Sequence, residues 1–324
     1  MRHGRETGGR AARTGALAAL LALAVLLALG GCNSLFYHPD QRIYFSPAQF
    51  GLWHEEVSFR SADGTRLRGW FLPARPPVKG TVVHFHGNAA NITNHVVAVR
   101  WLPLRGYSVF TFDYRGYGES EGSPSRAGVL ADGVAAIDHV RGRRDVDPDK
   151  LIVFGQSLGG AVAIGALARA GTRGVKALVV EGAFASYRET VRLLLDAGWL
   201  TWPFQYPLAY GLFSDDLRPA DDLPRLAEVP LLVVHGTHDR TVLPENGRQL
   251  YVAFPGRDKT LWEVPGAAHM GIFGPAYGPW RDRLLDYLDA KVGAAPVSER
   301  YKPRYLPGPG PGTPLRWRQP ATPR

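Results

Sequence analysis

Cysteine is almost missing from this sequence: Cys32 is the only one in 324 residues, so no intramolecular disulfide can brace the fold. An interior excess of charge is missing too. The formal net charge is +9, but residues 1–32 carry +3 of it and residues 293–324 carry +5, leaving about +1 for residues 33–292. A near-neutral body offers no electrostatic footprint for nucleic acid. No internal repeat is visible, and the longest apolar run, 16–29, is too short to be a comfortable membrane span, which needs about 20 residues. What the chain does have is a hydrophobic fraction of 45% and eight Trp, enough for a substantial core and incompatible with wholesale disorder.

The two ends read as additions to a folded body. Arg2, Arg5, Arg10 and Arg13 precede the apolar run, and Gly30-Gly31-Cys32 closes it with small residues, the layout of a targeting segment. Leu29-Gly30-Gly31-Cys32 resembles the lipobox of bacterial lipoproteins, in which the Cys is acylated and becomes the new N-terminus. The resemblance implies a signal peptide over 1–31, a lipidated tether over 32–50, and membrane attachment in a bacterial cell envelope, facing the periplasm or exterior. Asn33 is not the Asp of an inner-membrane retention signal, so in a Gram-negative cell the destination would be the outer membrane. An ordinary signal peptide, or an uncleaved anchor, with an incidental Cys is the alternative. Residues 293–324 hold eight Pro, including Pro307-Gly308-Pro309-Gly310-Pro311-Gly312, and read as a disordered basic tail.

Between the ends, strand and helix patterns alternate. Residues 55–60 and 65–72 form a hairpin pattern around Asp63-Gly64. Short apolar runs follow at 81–86, 107–113, 151–155, 177–181, 230–236 and 260–264, rich in Val, Leu and Phe and without strict alternation, as strands buried on both faces require. Helical patterns separate them at 94–105, 126–141, 158–170, 245–254 and 280–292. This alternation predicts an α/β fold, a mostly parallel central sheet with helices on both faces, over 51–292. In such folds ligands bind beyond the carboxyl ends of the strands.

Gly155-Gln156-Ser157-Leu158-Gly159 follows the run Leu151-Ile152-Val153-Phe154 directly and opens a helix of small residues. That strand–turn–helix context fits a nucleophile elbow, in which glycines let a strained turn expose the serine. Gly118-Glu119-Ser120-Glu121-Gly122 matches the same bare pattern, but two carboxylates flank Ser120 and no small-residue helix starts there, so it reads as a loop. A serine hydroxyl needs a base and an orienting carboxylate, in the chain order Ser, acid, His for this kind of fold. Asp239, within Gly236-Thr237-His238-Asp239, and His269, within Pro265-Gly266-Ala267-Ala268-His269, each follow a predicted strand. Glu181 ends the preceding strand and is the second candidate for the acid. Oxyanion donors are assigned to the backbone N–H of Leu158, after the nucleophile, and of Asn88, in His84-Phe85-His86-Gly87-Asn88. His84, His86, His235 and His238 read as structural.

These motifs, with Phe112-Asp113-Tyr114-Arg115-Gly116-Tyr117-Gly118, resemble the α/β-hydrolase superfamily over about residues 50–292. More narrowly they resemble its membrane-anchored abhydrolase-domain serine hydrolases, a branch that includes protein depalmitoylases. The resemblance implies hydrolysis of a carboxylic ester or thioester through an acyl-serine, with a small-molecule or acylated substrate and no metal or organic cofactor. It also implies that 113–118 supports the active-site loop. The chain lacks the cysteine-rich N-terminal anchor of the depalmitoylases and carries a lipobox in its place, so the resemblance does not extend to a shared substrate. Residues 187–226 carry Trp199, Trp202, Phe204, Tyr206, Tyr210 and Phe213, and are read as a short helical cap suited to an acyl chain, or else as aromatics packed on the sheet. A prolyl-peptidase-like amidase, or a non-catalytic envelope binding protein on the same fold, are the other readings.

Overall fold

The computed structural model describes residues 37–196, 201–274 and 277–293. Cys32, Trp199 and the basic tail beyond Gly293 lie outside the described residues.

An eight-stranded sheet organises the chain. In sequence order its strands are β2 (Glu55–Arg60), β3 (Arg66–Leu72), β4 (Gly80–Phe85), β6 (Tyr107–Asp113), β7 (Leu151–Gln156), β8 (Val175–Glu181), β9 (Leu231–Gly236) and β10 (Lys259–Val264). Their spatial order is β10-β9-β8-β7-β4-β6-β3-β2. β2 and β3 pair antiparallel through the Asp63-Gly64 turn, β3 pairs antiparallel with β6, and every other neighbour is parallel. β1 (His38–Pro39) and β5 (Ala89–Ala90) make a separate parallel pair.

The apolar runs are continuous because alternate side chains feed two different cores. Val83, Val153, Val180 and Val233 point to one face, with α2 (Arg126–Gly142) and α3 (Leu158–Ala170) packed there through Val129, Ile137, Ile164 and Leu167. Val82, Ile152, Val179 and Leu232 point to the other, against α1 (Ile92–Val99) and α7 (Gly278–Val292) through Val96, Val99, Leu284 and Leu288. The central strands β4, β6, β7 and β9 are therefore covered on both sides, as the absence of polar alternation required.

Three boundaries differ from the sequence expectation, each for a local reason. The helix expected over 94–105 divides into α1 and a 3-10 turn at Leu102–Arg105, because Pro103 has no N–H to donate and disfavours helical backbone at Leu102. The segment read as a tether joins the folded body from Tyr37 onward. Tyr37 is buried in the core, Asp40 O accepts from Gly118 N, and Asn91 Nδ2 donates to the carbonyls of Asp40 and Arg42. At the other end, the cap region contains α4 (Tyr187–Asp196) and α5 (Gln205–Leu212), but α6 (Pro219–Asp222) and the turn Leu223–Leu226 belong to the body. Leu223 and Leu226 are buried in the core, and Asp222 pairs with Arg169 of α3 at 2.6 Å. The cap aromatics do not pack on the sheet: Trp202, Phe204, Tyr206 and Tyr210 are each more than half exposed.

Candidate active site

The turn between β7 and α3 holds Ser157 at φ 54° and ψ −122°, a conformation a non-glycine residue adopts only where its surroundings impose it. Those surroundings are backbone. A Cβ on Gly159 would lie 2.2 Å from the carbonyl oxygen of Phe85, and one on Gly155 would lie 2.5 Å from Gly159 O. The glycines thus permit β4, β7 and the start of α3 to approach closely enough to raise Ser157 at the helix N-terminus.

β9 and β10, paired in parallel, deliver two further loops to the same end of the sheet. The loop after β9 carries Asp239 and the loop after β10 carries His269. His269 Nε2 lies 2.9 Å from Ser157 Oγ, and His269 Nδ1 lies 2.7 Å from Asp239 Oδ2. The tautomer follows from these partners: Nδ1–H donates to the carboxylate, leaving Nε2 to accept from the serine hydroxyl. The Asp239 carboxylate is fixed in turn, since Oδ1 accepts from the N–H groups of Thr241 and Val242, both at 2.9 Å. Burial opposes its ionisation, but hydrogen bonds from His235 and His269 and from the Val242 backbone outweigh that and hold the carboxyl well below the usual range. Gly182, at φ 59°, gives the imidazole room, because a Cβ there would come within 3.2 Å of the His269 ring.

Glu181 has a different job. It is fully buried at the end of β8, where Oε2 accepts from Gln156 Nε2 at 2.6 Å and Oε1 accepts from Ile272 N at 3.0 Å. Burial pushes its pKa up, against the lowering effect of those two donors. The chain of bonds continues: His84 bridges Gln156 Oε1 and Thr111 Oγ1, both at 3.0 Å, so one polar row crosses β8, β7, β4 and β6. The row ties the residue before Ser157 to the loop that carries His269. Glu181 makes no hydrogen bond to His269 among those of the described residues, and so is not the orienting carboxylate in this geometry.

The loop after β4 is braced from beneath. Tyr117 Oη and His38 N both donate to the Asn88 side-chain carbonyl, and Tyr114 Oη donates to His86 O. Arg115 is clamped by Asp132 and Asp63. Residues 113–118 therefore support this loop. Ser120, the serine of the second matching pattern, is part of the same bracing: its Oγ donates to Asp113 O and accepts from Arg68 N.

Asp113 itself sits in an unusual electrostatic setting. His86 donates through Nδ1 to Gly87 O at 2.7 Å, so its Nε2, 3.5 Å from Asp113 Oδ1, carries a lone pair and offers the carboxylate no proton. Burial, opposed by the Ile92 N–H and reinforced by Glu119, pushes Asp113 up to about 8. A carboxyl whose folded pKa exceeds its unfolded value loses its stability contribution as pH rises from the unfolded pKa through the folded one. Asp113→Asn should then match the parent near pH 4 and become the more stable protein by about 1.4 kcal/mol per pH unit up to about pH 8, levelling off above it. Thermal unfolding of both proteins across that range checks this, and a constant difference would show that Asp113 is ionised throughout.

The sequence reads His235 as structural but does not say what it supports. Its Nε2–H donates to Val242 O at 2.8 Å and sits 3.3 Å from Asp239 Oδ2, so it buttresses the same carboxylate. No pattern in the sequence singles it out, since its role depends on how the loop after β9 folds back. Gly182 and the Gln156–Glu181 row are equally local to the fold.

A parallel sheet covered on both faces, with a strained serine turn and a His–Asp pair at the strand ends, defines the α/β hydrolases. The comparisons agree. Residues 76–206 match the family model described as serine aminopeptidase, S33. An uncharacterised Escherichia coli protein, YfhR, is 35% identical over 260 residues, covering 79% of this chain and 86% of the relative. The Arabidopsis thaliana α/β-hydrolase domain-containing protein WAV2 is 34% identical, covering 74% and 80% respectively. Among solved structures, an esterase from Pyrococcus furiosus superposes with a TM-score of 0.63 at 20% identity, covering 80% of this chain and 98% of the esterase. This chain belongs to the α/β-hydrolase superfamily, and its activity is hydrolytic.

Proposed function

We propose that the protein cleaves a carboxylic ester or thioester through an acyl-Ser157 intermediate. The observation that carries this reading is the continuous Ser157–His269–Asp239 hydrogen-bond chain, with both links at or under 2.9 Å. His269 takes the Ser157 proton as Oγ attacks the carbonyl carbon, and Asp239 holds the imidazolium that forms. The N–H of Leu158, in the first turn of α3 where no i−4 acceptor exists, receives the developing oxyanion together with the N–H of Asn88. His269 then returns the proton to the leaving alcohol or thiol, and water attacks the acyl-serine by the same route. No organic cofactor or metal enters this sequence of steps.

The reading includes the site of action. Cys32 is acylated and holds the protein to a membrane of the bacterial envelope, on the periplasmic or outer side, with several acyl chains giving stable attachment where one would not. Acylated amphiphiles then lie within reach.

The matching family model, described as an aminopeptidase, favours a second reading in which the scissile bond is an amide. A panel of chromogenic acyl esters, acyl thioesters and aminoacyl anilides separates the two. The expected result is turnover of esters and thioesters, with anilides slower by roughly a hundredfold or more, since the poorer amine leaving group needs protonation in the transition state. Preferential anilide cleavage would establish the peptidase instead.

A further inference from the structure

We propose that the rim of the active site is a membrane-docking face, so that the protein draws its substrate directly from a lipid surface. This rests on the anchored-hydrolase reading above and adds to it an orientation and a substrate source.

Two exposed apolar groups carry the inference, one on each side of the site. α5 buries Gln205 and Ala209 but turns Tyr206 and Tyr210 outward, and Trp202 and Phe204 in the preceding turn are exposed as well. The outward side of a surface helix ordinarily carries charge, and scattered single apolar residues need no explanation, whereas a group of large aromatics does. The second group is Ile43, 74% exposed, with Phe45 beside it. Both groups stand at the carboxyl end of the sheet. Residues 37–45 cross the ends of β4 and β6, held by the β1–β5 pair and by Asn91. The cap rises from the end of β8, and its first residue, Tyr187, shares one core cluster with Tyr37.

The chain itself says what covers this face. Only residues 33–36 separate Cys32 from Tyr37, a reach of roughly 18 Å at full extension. An acylated Cys32 therefore keeps the end of β1, and the site mouth beside it, within that distance of the bilayer. Trp and Tyr are the residues that settle at a membrane–water interface, where an apolar ring and a polar edge are both accommodated. Among the described residues no helix is long and apolar enough to cross a membrane, so this is contact with the surface. The nearby charges balance: Arg192 lies over the Tyr206 ring while paired with Glu189, and Arg188 lies over Tyr210 beside Asp215. Docking is therefore driven by burial of aromatic surface and not by attraction to anionic lipid.

The test uses the full chain reconstituted into phosphatidylethanolamine–phosphatidylglycerol vesicles containing lipids brominated along their acyl chains. A fluorescent maleimide is placed by Phe204→Cys on the proposed face, or by Asp149→Cys, which is exposed before β7 at the opposite end of the sheet. Quenching at 204 and not at 149, unchanged in about 0.5 M salt, is the expected result. Equal quenching at both positions, none at 204, or cross-linking of two copies through 204 would overturn the docking face. The anchor is judged separately, because labelling of the parent chain would reveal an unmodified Cys32. In a second arm, Ile43→Asp/Phe45→Asp should hydrolyse a soluble short-chain ester like the parent but lose roughly tenfold on a long-chain ester held in vesicles. Equal activity on the vesicle-held ester would overturn the proposal, whereas no hydrolysis of the soluble ester by the parent would overturn the ester reading and leave the quenching result standing.

Discussion

Ser157→Ala should lose essentially all turnover, by roughly ten-thousandfold or more, while unfolding at nearly the parent temperature. The two parts of this result come from different atoms. Turnover depends on Oγ, which is 2.9 Å from His269 Nε2. The fold depends on the backbone, where Ser157 N donates to Glu181 O at 2.8 Å, a bond alanine keeps. The positive φ is no harder for Ala than for Ser, because both carry one Cβ and the glycine contacts around the turn are unchanged. A fluorophosphonate supplies the direct readout: intact mass should show one adduct on the parent and none on the variant. Ser120→Ala is the matched control. It removes two hydrogen bonds that brace the loop and should lower stability by about 1–2 kcal/mol, yet still take the adduct. Adduct formation on Ser157→Ala, or its loss on Ser120→Ala with the fold intact, would move the nucleophile away from Ser157.

The strands were legible because burial on both faces leaves a mark in composition: a parallel strand feeding two cores must be apolar at consecutive positions, and residues 151–154 and 231–234 are. The elbow was legible because close backbone approach excludes side chains, so its glycines are forced to sit at fixed offsets from Ser157. Asp239 and His269 could be placed by topology alone, since strand ends in a parallel sheet converge on one edge. The structure brings those three together. What could not be read depends on tertiary closure. The β1–β5 pair is two residues long and has no periodicity to detect. The bracing of Asp239 by His235 requires the loop after β9 to fold back on its own strand. The assignment of Pro219–Asp222 to the body turns on the ion pair of Asp222 with Arg169 and the bond from Ala220 N to Ala185 O, and the outward turn of the cap aromatics on how α5 settles. Glu181 shows the limit most clearly, because its sequence position suits either role and only its partners decide.

Those partners also fix what two carboxylate substitutions should do. Asp239→Asn is expected to reduce kcat by about a thousandfold to ten-thousandfold. The cause is hydrogen-bond polarity. Asp239 Oδ1 accepts from the N–H groups of Thr241 and Val242, so the side-chain carbonyl of an asparagine must take that position. Its NH2 group is thereby left where Oδ2 was, facing His269 Nδ1 at 2.7 Å. Nδ1 must then accept, the imidazole proton moves to Nε2, and the ring can no longer receive the proton of Ser157. Rotating the amide brings no relief, because its NH2 group would then face the N–H groups of Thr241 and Val242, two donors with no acceptor between them. Glu181→Gln should cost far less, roughly tenfold, because it perturbs the donor arrangement at Gln156 and Ile272 and reaches His269 only through the loop between them. Measuring kcat and KM for both variants against the parent on one soluble ester decides the matter. A larger loss in Glu181→Gln than in Asp239→Asn would transfer the orienting role to Glu181, and would require the loop after β10 to sit differently during turnover.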